Sequence, residues 1–559
     1  MAFFPRQSLS IGLLAIATLA KPALGAEQIT FHYWGLEQSV TVASLETYVR
    51  EGVIPPDLRP LTRRLGPTGT QTLRQVLTVP TNLGVVAVAQ LLYSPSGERF
   101  LAQLAQVVQS ESDQAGFLAL RAAFVLAAAD GEGLTLLNVL KQFPLPVIRL
   151  NVPEGLQLFN ELQALMASTE DAIAAIQVQA KLETVQDTPS QALALATLQQ
   201  PGPFSWDKRT LKFRDSGRRN RPLAVVLHVP LLESSPWLQP APVIVISHGL
   251  WASPIAFTYL AEHLTSHGFA VVLLEHPGSS DRQLTALFRG QTDKIIEPKE
   301  FVDRPLDITF LLDSLGEWVR GEPDLRGQIN LDQVGIIGQS LGGYTALAMA
   351  GAPLNLRRLA VDCGDNLNVF LNLSLLLQCR ALHGVDQNTV LRDRRIKGAI
   401  ALNPITSHLF GAKGIGEIQV PVLMLAGSLD TVASALLEQI QPFTWLTTPD
   451  KYLVLLEGAT HFSVLGESLP GSNPLPLRPQ IIGPDPISAR NYVKALSLAF
   501  VQTHIVQGRP PETVLQGAIA QARGQDTMGL YLVRSLNPVQ LLAPAHSPPR
   551  PEKSLKPLP

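Results

Sequence analysis

Cysteine is almost absent. Cys363 and Cys379 are the only two in 559 residues. Both lie in "VDCGDNLNVFLNLSLLLQCR", without the spacing or partners of a zinc site. An excess of charge of either sign is also missing. The 44 Lys+Arg and 46 Asp+Glu leave a formal net charge of −2. No basic excess points to nucleic acid, and no acidic run points to a solvating tail. Charged residues are scarce at 16% against 46% hydrophobic, which excludes a chain disordered throughout and leaves ample material for large cores. After the first residues no apolar run is long enough to span a membrane. The length suggests two to four domains.

What is present begins with "MAFFPRQSLSIGLLAIATLAKPALGAEQ". Arg6 makes a short basic region, Ser8 to Ala20 is apolar, and "PALGA" offers small residues for cleavage near Gly25 or Ala26. This is the pattern of a secretory signal peptide, so export across a membrane is expected. The apolar run is shorter than a spanning helix needs and Lys21 ends it. In an exported protein, two cysteines in one segment can pair, and a Cys363–Cys379 disulfide is one reading; two small core residues is the other.

Residues 26–187 read as a helical domain. "SLETYVREG" carries Leu45, Tyr48 and Val49 on one face, with Gly52 as a stop. "GERFLAQLAQVV", "QAGFLALRAAFVLAAADG" and "PEGLQLFNELQALMASTEDAIAAIQVQAKLE" continue in that style. "TPSQALALATLQQPGPFSW" then breaks the pattern with prolines and marks a boundary. From 204 to 525 short aliphatic strands ("LAVVLHVP", "PVIVISHG", "AVVLLEHPG", "VGIIGQS", "GAIALNP", "PVLMLAG", "KYLVLLEG") alternate with helical stretches. This predicts an α/β domain with a mostly parallel, doubly wound sheet. Residues 526–559 are Pro-rich and expected to be a disordered tail.

Within "VGIIGQSLGGYTALAMAG" the spacing G-x-S-x-G falls where a strand turns into a helix. Chance supplies about 0.2 such pentapeptides in a chain of this length, so the context decides. A strand–helix elbow lifts the Ser340 hydroxyl above the sheet edge and aims the first helix amides at the same spot. A serine hydroxyl needs a base. His461, in the loop after "KYLVLLEG", fits better than His383, His408 or the helical His504. Asp430, in the loop after "PVLMLAG", is the candidate acid, with capping of the following helix as its other reading. The backbone amides of Leu250, in "SHGLWASP", and Leu341 are the candidate oxyanion donors. Glu275 and His276 in "LEHPG" are read as structural.

"VISHGL", "LEHPGSS", "RPLDITFLLD", "GQSLGGYTAL" and "GATHFSVL" together resemble an α/β-hydrolase of the dienelactone-hydrolase-like and platelet-activating-factor-acetylhydrolase-like group. In the acetylhydrolase branch the acid follows an earlier strand, here "ALNP", and that position holds Asn403. In dienelactone hydrolases proper the nucleophile is a cysteine, where this chain has Ser340. The helical part, about Ala26 to Leu156, resembles an uncharacterised domain that precedes such hydrolases in cyanobacterial proteins. The expectation is an exported serine esterase using Ser340, Asp430 and His461 with no metal or cofactor. It would act on small-molecule or lipid esters, with a peripheral membrane contact as a further expectation. An inactive binding scaffold and a serine peptidase remain open alternatives.

Overall fold

The computed structural model describes residues 25–33, 36–81, 83–110, 116–183, 189–231, 240–364, 368–386, 389–466, 479–506, 513–516, 519–521 and 528–541. The expected signal segment up to residue 24 and the Pro-rich stretch 542–559 lie outside the described residues. The chain divides into two compact units: Met1–Asn160 with Phe288–Asp293, and Glu161–Leu287 with Lys294–Pro559.

The first unit is not all-helical as expected. Strands β1 (Gln28–Tyr33), β2 (Leu36–Thr41), β3 (Val108–Gln109) and β4 (Val147–Leu150) form a sheet in the order β2-β1-β4-β3. These strands are six residues or fewer, too short for a period-two pattern to stand out beside long helices. Six helices accompany them: α1 (Val42–Glu51), α2 (Arg59–Thr78), α3 (Val85–Tyr93), α4 (Pro95–Val107), α5 (Phe117–Ala129) and α6 (Leu136–Lys141). Thr41 Oγ1 accepts the Ser44 amide at the start of α1, and Gly52 ends that helix at φ 74°.

Helix α7 (Val152–Glu183) runs across the division between the units. Its Ala172, Ile176 and Ala180, four residues apart, are buried in the core of the second unit. The boundary therefore falls inside α7, not in the proline-rich stretch at 187–204. Pro189 opens a further helix, and Pro201 and Pro203 follow its end, so these prolines punctuate helices and do not mark where core contacts change owner. Helix α8 (Pro189–Leu198) follows.

The second unit is built on ten strands: β5 (Trp206–Asp215), β6 (Arg221–Pro230), β7 (Ala241–Ser247), β8 (Ala270–Glu275), β9 (Ile329–Gln339), β10 (Ile396–Leu402), β11 (Val422–Gly427), β12 (Lys451–Glu457), β13 (Ile519–Gln521) and β14 (Gly529–Val533). Their order is β13-β14-β12-β11-β10-β9-β7-β8-β6-β5. The six central strands, β7 to β12, are parallel, and antiparallel pairs extend both edges. All seven aliphatic runs of the sequence form strands.

The central strands are apolar throughout because both their faces are covered. Ala241, Val243 and Val245 of β7 enter one core, and Ile244 and Ile246 enter another. Helices α11 (Glu300–Gly321) and α12 (Leu341–Ala350) pack in the first, and α9 (Thr258–Ser266) in the second. A short α10 (Asp281–Phe288) lies between α9 and α11 in the chain. The tail expected from residue 526 starts too early. "GLYLV" of β14 is buried at every position and pairs with β12. Strand β5 escaped the sequence reading because charged residues occupy much of this edge strand.

The chain winds one way from β7 to β8, then returns so that β9 lies on the other side of β7. Ligands of such sheets bind at the carboxyl ends of the strands beside that reversal. Ser247 of β7 pairs with Gly338 of β9, Gln339 with Leu402 of β10, and Gly427 of β11 with Leu456 of β12. The loops carrying His248, Ser340, Asn403, Asp430 and His461 therefore leave the sheet along one edge.

Candidate active site

Ser340 is the single residue between β9 and α12, at φ 56° and ψ −116°. A non-glycine residue there is strained, as a nucleophile elbow requires. The glycines around it answer to space. A Cβ on Gly338 would lie 1.9 Å from Gly342 O, and one on Gly342 would lie 2.0 Å from Ser247 O. The turn closes only because both are glycine. Leu402 O accepts the Ser340 amide at 2.9 Å and anchors the elbow to β10.

His461 lies just beyond β12 and is buried. Its Nδ1 faces Asp430 Oδ2 at 2.8 Å. Asp430 stands in the turn after β11, buried. Its Oδ1 accepts the Val432 and Ala433 amides at 2.9 and 2.8 Å, which fixes the turn. Its Oδ2 is left for the imidazole. Among the described residues no hydrogen bond joins Ser340 Oγ to His461. Gln339 nevertheless ties the two loops, since its Nε2 donates to His461 O at 3.1 Å. The rival histidines lie elsewhere: His504 meets the Tyr452 hydroxyl at 3.0 Å, His408 meets Ser407 Oγ at 2.7 Å, and His383 is exposed.

Two residues escaped the sequence reading. Gln339 is one; its place before the serine was the only signal. Asn403 is the other. It stands at φ 46° after β10, wholly buried, and its Nδ2 donates to Asp430 Oδ2 at 3.0 Å. It was noted only as a missing acid. Its side chain instead bonds the carboxylate of Asp430.

The loop after β7 presses against the elbow. A Cβ on Gly249 would lie 2.4 Å from Gln339 Oε1 and 3.3 Å from Ser340 Cβ. Trp251 turns the loop at φ 60°, with its amide on Ser279 O at 2.7 Å and its indole on Ile295 O at 2.8 Å. Among the described residues neither the Leu250 nor the Leu341 amide donates a hydrogen bond. Burial, with Arg304 and His276 nearby, holds His248 well below the ordinary histidine value. Its Nδ1 lies 2.7 Å from Gly249 O and its Nε2 accepts the His276 amide, so it shapes the loop. Cys363 and Cys379 are joined as a disulfide, and both are buried. Among the described residues no group of three His, Cys, Asp or Glu is placed to hold a metal ion.

A mainly parallel sheet covered on both faces, with a serine at the strand–helix elbow, is the α/β-hydrolase fold. Two family models match the chain. Residues 242–380 match that of the alpha/beta hydrolase fold. Residues 25–151 match a family described as an alpha/beta hydrolase of unknown function (DUF1400). No curated protein matches the chain. The first match ends before Asp430 and His461, so the placing of those two residues rests on the geometry above.

Proposed function

We propose that the chain is an exported serine hydrolase that cleaves carboxylic esters through an acyl-enzyme. The observation that carries this reading is the buried His461–Asp430 pair at 2.8 Å beside a strained serine elbow. His461 takes the Ser340 proton as the hydroxyl attacks the ester carbonyl, and Asp430 orients the imidazole and balances its charge. The Leu250 and Leu341 amides receive the oxyanion. The alcohol leaves with the proton from His461. Water then repeats the steps and releases the acid. The resemblance of the chain's motifs to the dienelactone-hydrolase-like and platelet-activating-factor-acetylhydrolase-like group supports lipid-like or acetyl esters over amides.

The test uses purified protein, p-nitrophenyl esters and an organophosphonate that labels activated serines. Ser340→Ala and His461→Ala should each lower ester turnover by roughly 10⁴ or more, and the double variant should be little worse. The label should map to Ser340. Near-normal rates in either variant would refute the assignment. Turnover of peptides but not esters would make the protein a peptidase. A silent, unlabelled wild type would make it a scaffold.

A further inference from the structure

The stretch "RPLDITFLLD" at the start of α11 has no part in the chemistry above. Its Arg304 is wholly buried. The guanidinium spends its donors on four sites. Nη2 donates to Ser247 Oγ at 3.1 Å and to the His248 carbonyl. Nη1 donates to Ser279 Oγ at 2.8 Å, and Nε to Thr345 Oγ1 at 3.2 Å. Three of these partners lead to the two amides assigned to the oxyanion. The His248 carbonyl lies two residues before Leu250. Ser279 holds the Trp251 amide through its own carbonyl, just after Leu250. Thr345 Oγ1 donates to Leu341 O at 2.9 Å.

We infer that Arg304 is the positioning residue of the oxyanion hole, one side chain that sets the Leu250 loop and the Leu341 helix start in a common geometry. This rests on the serine-hydrolase reading. The two donors come from segments some ninety residues apart in the chain, Leu250 and Leu341, so something must fix one against the other. A planar fork with five donors suits that task better than a lysine. Its charge is balanced within the same cluster. Glu300 and Asp307 are wholly buried beside it, and Arg221 Nε meets Asp307 Oδ1 at 2.8 Å. His276 bridges the cluster to the loop, with Nδ1 3.1 Å from Asp307 Oδ2 and Nε2 3.0 Å from Ser247 Oγ. Burial lowers the Arg304 pKa to about 10, which leaves it cationic at neutral pH.

The test compares Arg304→Lys, Thr345→Val and wild type in the full chain. Each is assayed for hydrolysis of a p-nitrophenyl ester, for inhibition by an alkyl trifluoromethyl ketone, and for melting temperature. The ketone forms a hemiketal on Ser340 whose oxyanion occupies the hole. Arg304→Lys should lower kcat by roughly 10²-fold and Thr345→Val by about tenfold, with KM changed little. Ketone affinity should fall in parallel with kcat/KM. Thr345→Val removes one hydroxyl with little change in shape, so it decides the matter where Arg304→Lys fails to fold. Unchanged ketone affinity in a folded variant, whatever its melting temperature, would overturn the inference and leave the hydrolase reading standing. A wild type that takes no organophosphonate label on Ser340 would overturn both.

Discussion

Asp430 Oδ2 is shared between two side chains, His461 Nδ1 at 2.8 Å and Asn403 Nδ2 at 3.0 Å. In the proposed mechanism Asn403 acts through Asp430. Asp430→Asn should keep the fold and lower turnover by roughly 10²–10⁴, because the imidazole loses its partner's charge. Asn403→Leu should lower turnover by about tenfold, the cost of one hydrogen bond to a buried carboxylate. Combined, the two changes should be no worse than Asp430→Asn alone, since they act on one group. Steady-state rates of the four proteins give the cycle, and additive losses would show that Asn403 acts elsewhere. Ser340, Asp430 and His461 were legible in the sequence because each sits in a loop directly after an aliphatic strand. The bonds made by Asn403 and Gln339 were not. Their partners come from strands far away in the chain, and only the assembled sheet brings them within reach.

At the scale of elements, the segment between Cys363 and Cys379 is held twice. The disulfide closes a loop with a sequence separation of 16. Next to it, Glu438 is wholly buried in a π-helical turn, Ala435–Ile440. Its Oε1 accepts from Asn372 at 2.5 Å, Ser374 at 3.1 Å and Gln378 at 2.7 Å. Its Oε2 accepts the Thr406 and Ser407 amides at 2.6 and 2.9 Å. The cysteine pair was open to a sequence reading, whereas nothing in the sequence around Glu438 marks it out, because its partners come from segments distant in the chain. Val369 and Leu375 are buried in the core, and Leu376 and Leu377 pack partly against it, whereas Leu373 is exposed. A loop of this length stabilises by about 3 kcal/mol through the entropy of the unfolded chain. Reduction should therefore lower the melting temperature while Ser340 stays open to the organophosphonate, because Glu438 still holds the segment. Calorimetry with and without reductant, followed by labelling, checks this. Two thiols alkylated in unreduced, denatured protein would show that the bridge does not form.

Over the whole molecule, the sheet was legible wherever strands are buried on both faces, and illegible at its edges. β5 is charged, β13 is three residues long, and β14 follows a Pro- and Gly-bearing stretch. The same deep burial sets the response to acid. His228 lies on β6, wholly buried, and neither ring nitrogen has a hydrogen-bond partner among the described residues. Burial, with Lys208 opposite, lowers its pKa from 6.5 to about 4. His263 falls to about 3 through burial, with His267 and Lys494 adding to it. A lowered histidine pKa means that the unfolded chain takes up protons first as pH falls. The stability these groups contribute is full above about 6.5, where both states are neutral, and is lost as pH drops toward 4 and below. Melting temperature should accordingly be flat from neutral to mildly alkaline pH and should decline on acidification. His228→Leu removes one of these protonation sites without breaking a hydrogen bond. Its gap in melting temperature between pH 7.5 and pH 4.5 should be smaller than that of the wild type by about 1–2 °C, the effect of about 1–2 kcal/mol in a domain of this size. Carboxylates lose their partners in acid as well, but they do so equally in both proteins, so the difference isolates the histidine. An identical gap would mean that His228 gains its proton in the folded sheet as readily as in the open chain.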